Sequence, residues 1–273
     1  MNCTAVRDTI VEWLNKQLKE SSQIGFVIGV SGGVDSALVS TLCAMTGKTT
    51  IAIAMPIHQA EDQMRRGDEH IAWLHENFTS VSSTQVNLTG PFEVFRNELP
   101  IEIIDDQLAM ANTRSRLRMM TLYAYANHHR LLVAGTGNLV EDFGVGFFTK
   151  YGDGGVDLSP IGGLSKSQVW ELAKFVGVSD EIVKAKPTDG LWSDNRGDED
   201  AIGASYPELE WAIAYCESHD AAYISADDSI VGSTIFDVPP REREVLKIYL
   251  KRHYQSQHKM KAIPICVIPK IIL

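Results

Sequence analysis

Short apolar strands alternate with helices along the first half of the chain, and this alternation limits the fold more than any other feature. Residues 24–30 (IGFVIGV) form a nearly continuous apolar run, which is typical of a strand buried on both faces. Similar runs occupy residues 49–55, 81–88 and 130–136. Helical patterns cover residues 6–18 (apolar residues at i, i+4 spacing), 36–45, 61–77 and 103–129. The sequence therefore predicts an α/β fold with a parallel sheet and helices on both faces.

The second half of the chain has a looser pattern. Residues 144–163 contain seven glycines and one proline, and helical patterns resume at 166–176 and 241–257. We expect residues 1–273 to form a single domain with helical C-terminal extensions, and the alternative is a small helical second domain. Residues 189–200 and 220–234 are predicted loops, either closing loops or plain surface loops.

Charge and cysteine usage exclude several classes of protein. The net charge of −10 argues against a protein that binds nucleic acid by neutralising its phosphates. The four cysteines are scattered (Cys3, Cys43, Cys216 and Cys266), so neither a disulfide framework nor a zinc ribbon is expected. The sequence contains no apolar run of about 18 residues, so no membrane span is predicted. We expect a cytoplasmic protein that binds neither nucleic acid nor membrane.

Residues 31–36 (SGGVDS) lie between a predicted strand and a predicted helix. Glycines let backbone N–H groups approach an anion, and the helix N-terminus adds unpaired donors with a partial positive charge. Asp35 would repel a phosphate unless Mg²⁺ lay between them. The segment predicts a nucleotide-phosphate site with Mg²⁺, and the alternative is a turn with a helix cap. Residues 135–137 (GTG) end another strand, so we expect the site between these two turns.

Six further motifs resemble one family, the NAD synthetases within the ATP pyrophosphatases. The most specific is 146–157 (GFFTKYGDGGVD). The others are 112–119 (NTRSRLRM), 135–138 (GTGN) with Glu141, 163–166 (GLSK), 186–188 (KPT) and 258–259 (HK). The resemblance implies a Rossmann-like, adenine nucleotide hydrolase-like sheet. It also implies amidation of nicotinic acid adenine dinucleotide (deamido-NAD) to NAD, with ATP and ammonia, through an adenylated intermediate that releases AMP and pyrophosphate.

The same resemblance implies roles for individual residues. Those implied for ATP binding are Ser31, Gly32, Gly33, Asp35, Ser36, Thr136, Lys166 and Thr188. Those implied for deamido-NAD binding are Asn112, Arg116, Lys150, Asp157, His258 and Lys259. Asp35 and Glu141 are the implied Mg²⁺ ligands, and Asp35, Asp153 and Lys166 are the implied catalytic residues, with Asp153 steering ammonia. Lys166 opens a predicted helix, where a cation is unfavourable, so an anionic partner is expected nearby.

Two positions depart from the family pattern. Ser115 stands where the family usually carries alanine, which we expect to have little effect, and Met260 stands where it tends to carry arginine. The loop at 31–36 begins so early that we expect no N-terminal glutaminase domain, which leaves free ammonia or a separate glutaminase subunit as the nitrogen source. The resemblance also implies a homodimer. The competing hypotheses are a tRNA-modifying or GMP-forming relative and a non-catalytic nucleotide sensor.

Overall fold

Four parallel strands form the central sheet in a computed structural model that describes residues 1–187, 197–218, 223–224, 230–231 and 238–268. The strands are β1 (Gly25–Gly29), β2 (Thr49–Ala54), β3 (Val81–Gln85) and β4 (Leu131–Val133). Their order across the sheet is β3–β2–β1–β4, and every neighbouring pair is parallel. The predicted parallel α/β class is confirmed. Strand β1 lies between β2 and β4 in the sheet.

Helices account for most of the remaining described chain. They are α1 (Cys3–Ser21), α2 (Val34–Met45), α3 (Glu61–Asn77), α4 (Thr89–Asn97), α5 (Ile101–Ile104), α6 (Gln107–His129), α7 (Lys166–Phe175), α8 (Asp180–Lys184), α9 (Asp198–Ile202), α10 (Tyr206–Ser218) and α11 (Pro240–Met260). A π-helix spans Leu139–Val145, and the two-residue strands β5 (Tyr223–Ile224) and β6 (Ile230–Val231) pair antiparallel. In the described part of the chain, no helix is long and apolar enough to cross a membrane.

The sheet is covered on both sides by apolar clusters. On one side α1, α2 and α7 bury residues such as Leu14, Leu38 and Leu172. On the other side α4 and α6 contribute residues such as Phe92 and Met110. A separate apolar cluster joins the π-helix, α10 and α11, in agreement with the predicted helical character of the C-terminal part. The turns that follow β1 and β4 are thereby fixed side by side.

The predicted helix over 103–129 is wrong at its N-terminal end. Helix α5 ends at Ile104 and α6 begins at Gln107. The carboxylate of Asp106 accepts hydrogen bonds from the backbone N–H groups of Leu108 and Ala109, at 2.9 and 3.0 Å. This cap starts a new helix at a point where the apolar periodicity alone gives no sign of a break.

Gly32 is required by the packing of α3 on the loop after β1. Its φ of +82° lies in the left-handed region, which favours glycine. A Cβ atom at this position would also overlap the backbone carbonyl oxygen of Gln63 in α3. The loop can therefore lie directly against α3 only because residue 32 has no side chain.

Helices α2 and α3 are joined by a buried pair, Ser40 and His70. The Ser40 hydroxyl lies 2.9 Å from His70 Nε2, and the imidazole stacks on Trp73. Both members of the pair are buried, and burial lowers the pKa of His70 from 6.5 to about 4. The folded protein thus keeps this imidazole neutral at a pH where the unfolded chain would protonate it.

Acidification should therefore weaken the fold through His70. As the pH falls, the unfolded chain binds the proton before the folded protein does. The contribution of His70 to the free energy of unfolding should therefore be fully present above pH 6.5 and be lost as the pH drops toward 4. The loss should reach about 3 kcal/mol. His70→Gln, which can still bond Ser40, should flatten this part of the profile in urea unfolding at several pH values.

The matched control is His75→Gln, because His75 is an exposed histidine of the same helix. Equal pH profiles for the two variants would contradict the assignment of the effect to His70.

Candidate active site

The loop after β1 is held in shape by its own two serines. The Ser36 hydroxyl donates to the Gly33 carbonyl oxygen at 2.9 Å, and it accepts from the Ser31 backbone N–H at 3.2 Å. No described side chain caps the first turn of α2, which follows directly. The backbone N–H groups of that turn are therefore available to an anion, as the sequence predicts.

A cavity of about 800 Å³ lies between this loop and the turn after β4. Residues of α3, of α6 and of the C-terminal end of α11 also line it. Most of the predicted site residues line it: Ser31, Gly32, Gly33, Asp35, Ser36, Asn112, Arg116, Thr136, Glu141, Lys150, Asp153, Lys166, His258 and Lys259. The topology thus brings together residues from nearly the whole chain.

Three charged side chains form a buried cluster at the nucleotide end of the cavity. Lys166 Nζ lies 2.6 Å from Asp35 Oδ2 and 2.9 Å from Glu141 Oε1, and its side chain is 2% exposed. Burial alone would lower the pKa of Lys166, but the two carboxylates outweigh it and raise that pKa. The anionic partner expected for a lysine at a helix start is thus a pair of protein carboxylates.

Two neutral side chains fix the carboxylates of this cluster. Asn138 is fully buried, and its amide donates to Asp35 Oδ1 at 3.1 Å while its oxygen caps the π-helix. The Tyr206 hydroxyl donates to Glu141 Oε1 at 2.6 Å. Asp35 and Glu141 consequently each present one oxygen to Lys166 Nζ, so the two carboxylates converge at this point.

That convergence fits Mg²⁺, which binds one or two carboxylates together with substrate phosphates. Asp35 and Glu141 supply the two carboxylates beside the phosphate-type loop. In the part of the chain that the structure describes, no group of three or more His, Cys, Asp or Glu side chains forms a metal cluster. A site completed by ligand oxygens is therefore the kind that these residues can form.

Asp153 also lines the cavity, in the turn that follows residue 148. Its Oδ1 accepts hydrogen bonds from the Ser115 hydroxyl at 2.7 Å and from the Thr149 N–H at 2.9 Å. The Thr149 hydroxyl donates to Asn112 Oδ1 at 2.6 Å. Helix α6 thus holds this turn at two points, one helical turn apart. The serine at position 115, which was expected to have little effect, therefore donates a hydrogen bond to a predicted site residue.

The predicted basic residues join the 146–150 segment to its neighbours. Lys150 Nζ donates to the His258 carbonyl oxygen, and Lys259 Nζ donates to the carbonyl oxygens of Gly146 and Phe148. Arg116 Nε donates to the Lys150 carbonyl oxygen at 3.3 Å. These cations contact backbone oxygens and line the cavity, where they can also meet an anionic ligand.

Among the predicted site residues that the structure describes, Asp157 does not line the cavity. Asp157 binds β4, because its Oδ2 accepts from the Val133 N–H at 2.8 Å and its Oδ1 from the Tyr123 hydroxyl at 3.0 Å. Thr188 lies outside the described residues, as do most of the loops predicted at 189–200 and 220–234. The short helix α9 occupies the end of the first of these loops.

Several cavity residues were absent from the predicted site. They are Gln59, Gln63, Arg66, Arg118 and Asp142. Gln59 donates to the Ser31 carbonyl oxygen at 3.1 Å, and Arg66 donates to that of Gly32 at 3.3 Å. The spacing of Gln63 and Arg66 places both on one face of α3 and could have identified them. For Asp142, burial and the charges of Asp153 and Glu141 raise the pKa well above its usual value.

Comparisons with known proteins show the family of this chain. The family model described as NAD synthase matches residues 6–261. An NH₃-dependent NAD⁺ synthetase of Methanosarcina acetivorans is 31% identical over 97% of this chain and 98% of its own length. Another from Carboxydothermus hydrogenoformans is 38% identical over 74% of this chain and 82% of its own length.

Two solved structures share the fold over nearly their whole length. The NMN synthetase of Francisella tularensis has a TM-score of 0.80 and 29% identity, over 99% of both chains. The NH₃-dependent NAD synthetase of Campylobacter jejuni has a TM-score of 0.75 over 98% of this chain and 100% of that one. With the family model matching nearly all of its length, the chain belongs to the NAD synthase family, the ligases that aminate deamido-NAD to NAD with ATP.

Proposed function

We propose that this chain adenylates the nicotinate carboxylate of deamido-NAD and then transfers ammonia to it. The carboxylate oxygen attacks the α-phosphorus of ATP, and the bond to pyrophosphate breaks. The nitrogen of ammonia then attacks the carbonyl carbon, AMP leaves, and a proton is lost from the nitrogen. The observation that carries the proposal is the single cavity that joins an anion-binding loop to the 146–157 segment.

The nucleotide end of the cavity supports the first step. The N–H groups of Gly32, Gly33 and the first turn of α2 would bind the pyrophosphate, with the serine hydroxyls as further donors. Lys166 supplies a buried positive charge at the same point, and Thr136 adds a hydroxyl. These groups are already in place before the reaction, so they stabilise developing charge without reorganisation.

Asp35 and Glu141 would hold Mg²⁺ in this proposal. When bound, the ion would neutralise charge on the leaving pyrophosphate. Asn138 and Tyr206 orient the two carboxylates through hydrogen bonds of 3.1 and 2.6 Å. Lys166 and the ion would therefore both bind the carboxylates of Asp35 and Glu141.

The other end of the cavity would bind the dinucleotide and the amine. Asn112, Arg116, Lys150, His258 and Lys259 line it and provide the cations that a dinucleotide needs. Asp153 would accept a hydrogen bond from ammonia and steer it to the adenylated carboxyl. Asp157 and Thr188 keep the roles that the resemblance implies, as ligands of deamido-NAD and ATP. The chain needs no nucleophilic side chain, because positioning and electrostatics carry both steps.

A homodimer in the cytoplasm, built from one domain per chain, completes the proposal. Exposed apolar side chains on α4, α5 and the start of α6 support it. They are Val94, Phe95, Ile101, Ile103 and Leu108. Exposed apolar side chains of this kind are suited to burial between two chains.

A second candidate acceptor is the mononucleotide counterpart of deamido-NAD. The likeness to an NMN synthetase over 99% of both chains, at 29% identity, supports it. The two acceptors share the nicotinate carboxylate and differ in the adenylate half, so the same chemistry at Asp35, Lys166 and Asp153 would serve either one.

A coupled assay decides between these candidates. We expect NAD and AMP to form in equal amounts from deamido-NAD, ATP, Mg²⁺ and ammonium, with a higher kcat/KM than for nicotinic acid mononucleotide. Glutamine in place of ammonium should give no product. Higher kcat/KM for the mononucleotide would establish the second candidate. Pyrophosphate release on neither acceptor, or turnover on xanthosine monophosphate or tRNA, would overturn the proposal.

Asp35→Asn should remove the first step. The isosteric amide cannot supply the charge that a metal and Lys166 need, so pyrophosphate release should fall by about a hundredfold or more. Rapid-quench measurement of pyrophosphate checks this outcome. Asp180→Asn, at an exposed carboxylate of α8, is the matched control. Near-normal release from the Asp35 variant would remove it from the proposed metal site and favour a nucleotide sensor.

Lys150→Ala should weaken dinucleotide binding selectively. Loss of one cation from the dinucleotide end should raise the KM for deamido-NAD by about tenfold, which corresponds to one charged contact. The KM for ATP should change less than about twofold, because a substitution has little effect on a site that it does not contact. Initial-rate kinetics with each substrate varied in turn measure both constants, and Lys184→Ala on α8 is the control. An equal effect on both constants would contradict this placement.

A further inference from the structure

Ser115 and Asp153 form a reciprocal pair of hydrogen bonds. The Ser115 hydroxyl donates to Asp153 Oδ1 at 2.7 Å, and its oxygen accepts from the Asp153 backbone N–H at 2.8 Å. Ser115 is 7% exposed and lies on α6, whereas Asp153 is exposed to the cavity. A buried hydroxyl on a rigid helix thus fixes both the backbone and the side chain of a residue in a turn.

The pair leaves the two carboxylate oxygens of Asp153 with different tasks. Oδ1 accepts from Ser115 and also from the Thr149 N–H at 2.9 Å. Within the described ranges of the chain, no group donates a hydrogen bond to Oδ2. With Oδ1 satisfied, Oδ2 is the oxygen that can accept a hydrogen bond from a molecule in the cavity.

The packing around Ser115 shows how closely α6 meets this turn. A Cβ atom on Gly152 would overlap the Ser115 hydroxyl oxygen, so the two segments are in direct contact. Asn112, one helical turn earlier, accepts from the Thr149 hydroxyl at 2.6 Å. Residues three positions apart on a helix share a face, so α6 holds both ends of the turn with polar groups.

We infer that Ser115 is a positioning residue that aims Asp153 Oδ2 at the amine donor. This inference rests on the proposed role of Asp153 in steering ammonia. An exposed aspartate that can rotate about its side-chain bonds points its oxygens in several directions. A fixed rotamer instead keeps the free oxygen pointed in one direction. A hydrogen bond to a charged acceptor is among the stronger ones, which suits the hydroxyl to this task. In this role Ser115 acts through Asp153 and not on the ammonia or the adenylate.

Ser115→Ala tests the inference because it removes only the hydroxyl. The KM for ammonium should rise by about tenfold, the change that corresponds to loss of one hydrogen bond to a charged group. ATP–pyrophosphate exchange, which needs no ammonia, should keep its rate and its KM for ATP. More AMP than NAD should form, because water reaches the intermediate when ammonia is poorly placed.

Two other variants of the chain serve as reference points. Thr121→Ala removes a hydroxyl from the same helix, where it bonds only the Leu117 carbonyl oxygen at 3.0 Å, and it should leave every constant unchanged. Ser115→Cys keeps a donor at the same position, although a weaker and larger one, and it should give an intermediate KM for ammonium. The cysteine variant also serves if the alanine variant does not fold.

Asp153→Asn separates this inference from the proposed function. If Asp153 steers ammonia, Asp153→Asn should raise the KM for ammonium, and adding Ser115→Ala should raise it no further. An effect of Asp153→Asn without an effect of Ser115→Ala would overturn the inference and leave the role of Asp153 intact. No effect of Asp153→Asn on that KM would overturn both. Equal changes in the constants for ammonium and ATP after Ser115→Ala would show a merely structural role and also overturn the inference.

Discussion

One buried ammonium group holds the candidate site together. Lys166 Nζ lies between Asp35 and Glu141, and these three residues come from the start of α7, the start of α2 and the π-helix. A buried charge is costly unless opposite charges and hydrogen bonds compensate it, so the three segments must meet for any of them to be stable there. Asn138 and Tyr206 add hydrogen bonds to the two carboxylates. The charges proposed to serve the chemistry therefore also fix the loop after β1 relative to the π-helix and α7.

The two ends of the cavity are supported in different ways. At the nucleotide end, backbone groups of the loop dominate, and α3 packs on the loop because Gly32 has no side chain. At the dinucleotide end, side chains of α6 hold the turn that contains Asp153, through Asn112 and Ser115. Backbone N–H groups suit pyrophosphate, which needs many donors at close range, whereas a small amine needs one well-aimed acceptor. Helix α6 consequently fixes the turn that carries Asp153, the residue proposed to steer ammonia.

The sheet, its parallel order and the loop at 31–36 follow from local pattern, because buried strands and glycine turns have direct signatures in the sequence. The break between α5 and α6 does not, since it depends on the cap at Asp106 and not on periodicity. Arg66 reaches the site through the packing of α3, and Ser115 gains its partner only when α6 meets a turn far along the chain. The partners of Asp157 are likewise tertiary, because its carboxylate accepts hydrogen bonds from the N–H of Val133 and from the Tyr123 hydroxyl. The sequence predicts a site where a motif acts locally. It does not predict a site where tertiary contacts decide which side chains bond each other.

The pairing of β1 with β4 has a consequence for how the protein folds. Gly25 on β1 aligns with Leu131 on β4, and everything from α2 to α6 lies between them in the chain. Closing so long a loop is slow, so this strand pair is expected late among the sheet contacts. The cavity exists only after that pairing, since its two glycine turns follow these two strands. Nucleotide binding can therefore draw only on the fully folded population, and a bound nucleotide would stabilise the whole sheet and not one half of it.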